Sequence, residues 1–181
     1  MIVIDDFLPD FELVKRFISE TKYGDYELGG KKYTGVGQVT LPVKALIEQR
    51  VGPIKIKHNH LRLGRRDTPL THGIHTDRYG TAYGFVLCLS APECSSGTAF
   101  WTHKETGMDR LPEGSSQDMF TYFNDELKKE EEWFVSEMVE SVENRALIFE
   151  ADRFHSRWPM TLPIEATEKP RIVCTAFFDK L

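Results

Sequence analysis

The stretch IKIKHNHLRL, residues 54–63, alternates apolar and polar side chains, which is the period of a strand with one buried face. Further short runs follow it, rich in β-branched or aromatic residues and separated by Gly, Pro, Ser or Asp: YGFVLCLS (83–90), TAFWTH (98–103), RALIFE (145–150) and RIVCTAFF (171–178). Short strands with such punctuation are typical of a β-barrel or β-sandwich. The sequence therefore predicts a mainly β fold.

Residues 1–53 are expected to support this β core from outside. IVIDDFLP reads as a short strand, after which Asp10 caps a helix that places Phe11, Val14, Phe17 and Ile18 on one face. A second short helix is predicted from about Val43 to Gln49. The first part of the chain thus predicts flanking helices.

One segment of the core, 54–181, departs from the strand pattern. Between about 118 and 140, large apolar residues recur at roughly helical spacing with charges between them, namely Phe120, Phe123, Leu127, Phe134 and Met138. We predict an amphipathic helix inserted between two strands. No linker, repeat or low-complexity tract interrupts the chain, so residues 1–181 are expected to form a single domain.

Composition limits the class of protein. The chain has 181 residues, 40% of them hydrophobic, and no apolar run long enough to cross a membrane. The start MIVIDDFLPDFELV is acidic where a signal peptide is basic, and the three cysteines form no CxxC pair. Both features favour a cytoplasmic protein. The net charge of −5 disfavours nucleic acid as a partner without excluding it.

A candidate metal pair lies in GIHTDRYG, residues 73–80. In extended backbone, residues two apart point to the same side, so His75 and Asp77 are expected to converge. A further ligand has to come from another strand. His155 is a candidate, because it follows the strand ALIFE and a polar turn.

The last predicted strand begins with a charge. Arg171 shares one face of RIVCTAFF with Val173, Thr175 and Phe177, while the other face is apolar as well. A strand apolar on both faces is expected to be buried, and an inward guanidinium there needs an anion. An ordinary salt bridge at the strand end would also satisfy it.

Taken together, the HxD pair, the strand runs, SSGTAF (95–100), a distal histidine and an arginine on the next strand resemble the Fe(II)- and 2-oxoglutarate-dependent oxygenases. The resemblance covers roughly residues 54–178 and is closest to the prolyl-hydroxylase-like branch. It implies a double-stranded β-helix, the jelly-roll or cupin-like barrel. It also implies an enzyme that hydroxylates a C–H bond while decarboxylating 2-oxoglutarate.

The resemblance assigns roles to five residues. His75, Asp77 and His155 match the two-histidine, one-carboxylate Fe(II) triad, which leaves three positions for 2-oxoglutarate and O2. Arg171 matches the residue that pairs with the far carboxylate of 2-oxoglutarate, and Thr175 adds a hydroxyl contact. The presence of Asp77 argues against a halogenase. The substrate is expected to be a small molecule or a protein side chain.

Two other readings stay open. In one, the chain is a non-catalytic cupin-like barrel that binds a metal or ligand. In the other, it is a cupin isomerase centred on His58 and His60, which share a strand face but lack the glutamate that cupins place a few residues later. Replacing Arg171 discriminates, since only the oxygenase needs it for a keto acid.

Overall fold

The computed structural model describes residues 1–28, 31–66, 73–77, 81–92, 95–115, 129–162 and 168–181. These ranges contain two α-helices, ten strands and a short 3-10 helix at Glu130–Glu132. The helices are α1 (Phe11–Glu20) and α2 (Lys44–Val51). The strands are β1 (Ile2–Ile4), β2 (Tyr23–Leu28), β3 (Lys31–Gly37), β4 (Ile54–Gly64), β5 (Tyr83–Ser90), β6 (Gly97–His103), β7 (Trp133–Glu140), β8 (Ala146–Glu150), β9 (His155–Trp158) and β10 (Arg171–Lys180).

The strands form two antiparallel sheets. The larger has the order β1-β8-β5-β10-β4-β3-β2, and the smaller has the order β7-β6-β9. The mainly β architecture predicted from the sequence is confirmed. The last strand of the chain, β10, lies in the middle of the larger sheet between β5 and β4, so it is covered on both sides by neighbouring strands.

The larger sheet is covered on both faces. On its outer face, Ile18 of α1 and Ile47 of α2 belong to one buried cluster with Leu61 and Cys174 of the sheet. On its inner face, Phe149 of β8 packs with side chains of the smaller sheet. We call the region between the inner faces of the two sheets the inter-sheet space.

Both faces of strand β10 are apolar because each of them is covered by another part of the protein. Ile172, Cys174, Ala176 and Phe178 lie in the outer core with the helices. The alternate residues, beginning with Arg171, face the inter-sheet space, and Arg171 donates to the carbonyl oxygen of Gly97 in β6. The predicted division of the strand into two faces is confirmed.

Helix α1 begins as predicted. The Asp10 side chain accepts a hydrogen bond from the N–H of Leu13 at 3.2 Å, which satisfies one of the free donors at the helix start. Ile18 is buried, but Phe17 keeps 39% of its surface exposed. The packed stripe is therefore narrower than the sequence pattern suggests.

The predicted helix of about 118–140 is wrong over its second half. Residues 133–140 form β7, which pairs with β6. Trp133 is buried while Phe134 and Met138 are 48% and 43% exposed, so the two residues assigned to the apolar face of a helix lie on the exposed side of a strand. The sequence also has apolar residues at Trp133, Val135 and Val139, which is the alternation of a strand and competes with the helical spacing. Residues 118–128, with Phe120, Phe123 and Leu127, lie outside the described ranges.

Two of the three cysteines are described, and both are buried. Burial raises the pKa of the Cys88 thiol, and it raises that of Cys174 to about 12. Neither helix in the described ranges has the length and apolar character needed to span a bilayer.

Candidate metal centre

Two stretches of chain distant in sequence meet beside the smaller sheet. The N–H of His75 donates to the carbonyl oxygen of His155, and the N–H of His155 donates back to that of His75, both at 2.9 Å. The N–H of Asp77 donates to the carbonyl oxygen of Ala151 at 2.8 Å. These backbone bonds hold residues 73–77 against the start of β9 and bring three side chains together.

The three side chains of the predicted triad converge. One ligand atom from each of His75, Asp77 and His155 lies within 4.8 Å of the others. Nε2 of His155 is 3.1 Å from one Asp77 carboxylate oxygen, and Nε2 of His75 is 3.6 Å from the other. The His155 side chain is only 7% exposed, whereas those of His75 and Asp77 are 27% and 20% exposed. The site is thus shielded from solvent on the side of His155 and accessible to solvent on the side of His75 and Asp77.

Hydrogen bonds define which ring nitrogen of each histidine is available. Nδ1 of His75 is 2.9 Å from the carbonyl oxygen of Gly73, and Nδ1 of His155 is 2.9 Å from that of Arg153. A carbonyl oxygen only accepts, so each Nδ1 must carry the proton. In a neutral imidazole this leaves the Nε2 lone pair directed at the site, as in histidines that bind metals.

This arrangement fits a divalent cation. With Nδ1 protonated and the ring neutral, the Nε2 lone pair of His155 faces a carboxylate oxygen of Asp77 only 3.1 Å away. Two acceptors at that distance repel each other unless a proton or a metal cation lies between them. Two imidazoles and one carboxylate are also the donor set of non-haem Fe(II) sites.

Aromatic rings close the buried side of the centre. The ring of Phe149 lies edge-on to that of His155 at 4.7 Å between centroids, and the Phe100 ring is 6.2 Å away. Both phenylalanines are fully buried. They exclude water from the side of His155 that faces the inter-sheet space, which strengthens electrostatic interactions there.

His60 lies on the inner face of β4, next to the predicted keto-acid residue Thr175. The Thr175 hydroxyl is 3.0 Å from Nε2 of His60. The pKa of His60 is lowered to about 4, chiefly by burial and then by the charges of Arg62 and His58, while the charge of Asp77 opposes the shift. The imidazole is therefore neutral at physiological pH. In the sequence, His60 stood out only as one of the two histidines of a possible cupin motif. The other histidine of that pair, His58, is exposed.

Arg171 is buried at the start of β10, as the sequence predicts. Its guanidinium makes two long hydrogen bonds, to the hydroxyl of Ser141 at 3.3 Å and to the carbonyl oxygen of Gly97 at 3.5 Å. It borders a small cavity that Cys88 and Thr98 also line. Burial lowers the pKa of Arg171. Among the described residues no carboxylate pairs with this guanidinium, so the salt-bridge reading has no partner there.

Arg157, which faces the inter-sheet space, was not singled out in the sequence. Arg157 stands two positions after His155 on β9 and so points to the same side of the strand. The spacing that singled out His75 and Asp77 also applied here, but an arginine beside a histidine carries no metal signal.

Solved structures with a similar fold include two of SnoN, described as a non-haem α-ketoglutarate-dependent epimerase from nogalamycin biosynthesis. One matches at a TM-score of 0.58 and 14% identity, covering 99% of this chain and 78% of that one. The other, in complex with Fe3+, α-ketoglutarate and nogalamycin RO, matches at 0.54 and 14%, with the same coverage. No family model and no curated protein matches the sequence. At this identity the likeness concerns the fold.

Proposed function

We propose that the chain is an Fe(II)- and 2-oxoglutarate-dependent oxygenase that hydroxylates a C–H bond, built on a double-stranded β-helix. The observation that carries this is the triad, in which two Nε2 atoms converge on Asp77 while both Nδ1 atoms are held by backbone carbonyl oxygens. A fold shared with a 2-oxoglutarate-dependent epimerase supports it. Assignment to the prolyl-hydroxylase-like branch stays a prediction.

Each residue of the site has a task in this proposal. His75, Asp77 and His155 hold Fe(II). The guanidinium of Arg171 pairs with the far carboxylate of 2-oxoglutarate, which supplies its missing counter-charge. Thr175 lends a hydroxyl to the same co-substrate, with its orientation set by His60 at 3.0 Å.

Fe(II) with 2-oxoglutarate supplies the oxidation of a C–H bond by O2. The residues of the protein orient the reactants and exclude water from the site. Phe100 and Phe149 keep water from the buried side of His155, and the more exposed side of His75 and Asp77 is left for the substrate, a small molecule or a protein side chain. We propose that the reaction takes place in the cytoplasm.

The test is to measure the binding of 2-oxoglutarate by calorimetry in the presence and in the absence of Mn(II). This ion accepts the same ligands as Fe(II) but does not support turnover. We expect binding to require the metal and to disappear in His155→Ala. Arg171→Met should raise the Kd by at least about tenfold, the effect of losing a charge-assisted hydrogen bond.

The matched control is His58→Ala, because His58 is an exposed histidine of the larger sheet. It should bind the keto acid as the wild type does. Metal binding without any keto-acid binding would favour the non-catalytic barrel instead. Loss of the metal in His58→Ala, with His155→Ala unaffected, would favour the cupin reading.

A further inference from the structure

Three arginines project into the inter-sheet space from three strands. They are Arg62 of β4, Arg157 of β9 and Arg171 of β10. Arg62 pairs with Val173 in the register of β4 and β10, which places it on the same inner face as Arg171. The charges of Arg171 and Arg62 act on Arg157, and cations in a poorly solvated region repel one another.

The Arg157 guanidinium lies against Gly64, the neighbour of Arg171 on the next strand. Gly64 is the register partner of Arg171, and a methyl group added to Gly64 would lie 3.2 Å from Nη1 of Arg157. The bare surface of Gly64 therefore makes room for the Arg157 guanidinium. One arm of that guanidinium donates to the carbonyl oxygen of Met160, while its Nε is buried without a hydrogen-bond partner.

Around Arg157 and Arg171, the strands that the structure describes supply no free carboxylate. β4, β5, β6 and β9 contain no aspartate or glutamate. The acidic residues of the other strands lie beside other cations. In β7, Glu137 pairs with Arg153, and Glu140, which lines the cavity next to Arg171, lies beside Arg145. Glu150 of β8 pairs with the N-terminal amine and Asp179 of β10 with Lys57. Burial, and then the charges of Arg171 and Arg62, lower the pKa of Arg157 to about 10, so it remains charged at neutral pH.

The keto acid cannot balance this charge alone. If the proposed function holds, Fe(II) is neutralised by Asp77 and by the carboxylate of 2-oxoglutarate next to the keto group. Only the far carboxylate is left for the interior. It offers one negative charge to Arg157 and Arg171 together.

We propose that Arg157 forms a second anion subsite, separate from the keto-acid position at Arg171, and that the substrate is a small organic anion bearing a carboxylate, phosphate or sulfonate group. This inference rests on the proposed function and narrows its substrate class. Arg157 lies on the same strand and the same side as His155, one alternate position further on. An anion held there would lie beside the metal centre, where a neighbouring C–H bond can be presented for oxidation.

The experiment uses inorganic sulfate as the probe, added to the full-length protein saturated with Mn(II) and 2-oxoglutarate at constant ionic strength. We expect sulfate to raise the wild-type Tm by about 3 °C, as a ligand bound well above its Kd does in a domain of this size. Arg157→Met should lose this rise. Its Kd for 2-oxoglutarate should stay within about threefold of the wild-type value.

Two further variants sharpen the result. Arg66→Met removes an exposed arginine just beyond β4 and should respond to sulfate as the wild type does. Gly64→Ala keeps every charge but crowds Nη1 of Arg157, so it should reduce the sulfate response without abolishing keto-acid binding. Gly64→Ala also tests the anion subsite if Arg157→Met fails to fold.

The outcomes separate this inference from the proposed function. No sulfate response in the wild type, or a response that survives in Arg157→Met, overturns the anion subsite. A Kd for 2-oxoglutarate raised as much in Arg157→Met as in Arg171→Met also overturns it, because Arg157 would then hold the keto acid. If the wild type binds no 2-oxoglutarate at all, the proposed function fails, and the inference fails with it.

Discussion

At the scale of single residues, burial sets the charge of the groups around the centre. His60 is kept neutral chiefly because it is buried on the inner face of β4, and then because the charges of Arg62 and His58 disfavour its protonation. Sequence reasoning could place His60 on a strand face but not say which face is buried. That depends on β10, which lies more than a hundred residues later in the chain and pairs with β4.

The neutral His60 makes the stability of the metal-free protein depend on pH. Its pKa falls from an ordinary 6.5 to about 4 on folding, so between these values the unfolded chain binds more protons than the folded one. Stability is therefore complete above about pH 6.5 and lost as the pH falls toward 4. The loss attributable to this group is about 3 kcal/mol.

Urea unfolding at a series of pH values measures this loss. In His60→Gln the decline between pH 6.5 and 4 should be shallower than in the wild type, because the titrating group is gone. Equal slopes in the two proteins would show that His60 ionises freely in the folded state.

Cys88 gives a second prediction at this scale. The thiol is 4% exposed on β5 and burial raises its pKa, so little thiolate exists and reagents cannot reach it. In a Cys94→Ser background we expect no labelling of Cys88 or Cys174 by a thiol reagent in the native state, and labelling of both in urea. Rapid native labelling of Cys88 would contradict its place in the inter-sheet core.

At the scale of elements, the sequence predicted the individual strands better than the segment before β8. Alternation and turn residues were enough for β4, β5, β6, β8 and β10. The segment of about 118–140 was misread because Phe134 and Met138 are four apart, which suits a helix, while neither side chain is buried. Edge strands such as β7 escape the burial that makes alternation clear.

The pairing of β7 with β6 can be tested at Gly97. A methyl group added there would collide with the backbone carbonyl oxygen of Val139, and backbone cannot move aside cheaply. Gly97→Ala should therefore lower the free energy of unfolding by about 1–3 kcal/mol. Gly24→Ala in β2 is the matched control, since nothing lies within 4 Å of the added methyl.

Urea denaturation of the two variants gives the comparison. A Gly97→Ala protein as stable as Gly24→Ala would mean that β6 and β7 are not in the register described, and would reopen the helical reading of residues 133–140.

At the scale of the whole molecule, the sequence supplied the candidate ligands and the fold supplied their convergence. His75 and Asp77 could be paired from their spacing alone, because both lie on one short stretch. Their meeting with His155 depends on the backbone bridge between the 73–77 loop and β9, which no local pattern encodes. Arg157 was missed for the same reason, since its importance comes from Gly64 and Arg171 on other strands.

The central claim is that the triad presents Fe(II) to a keto acid. The most direct measurement is the visible absorption of the anaerobic protein with Fe(II), before and after 2-oxoglutarate is added. We predict a weak charge-transfer band when the keto acid chelates the iron, present in the wild type and in His58→Ala and absent in His155→Ala. Iron that binds without the band, or a band that survives in His155→Ala, would contradict the account.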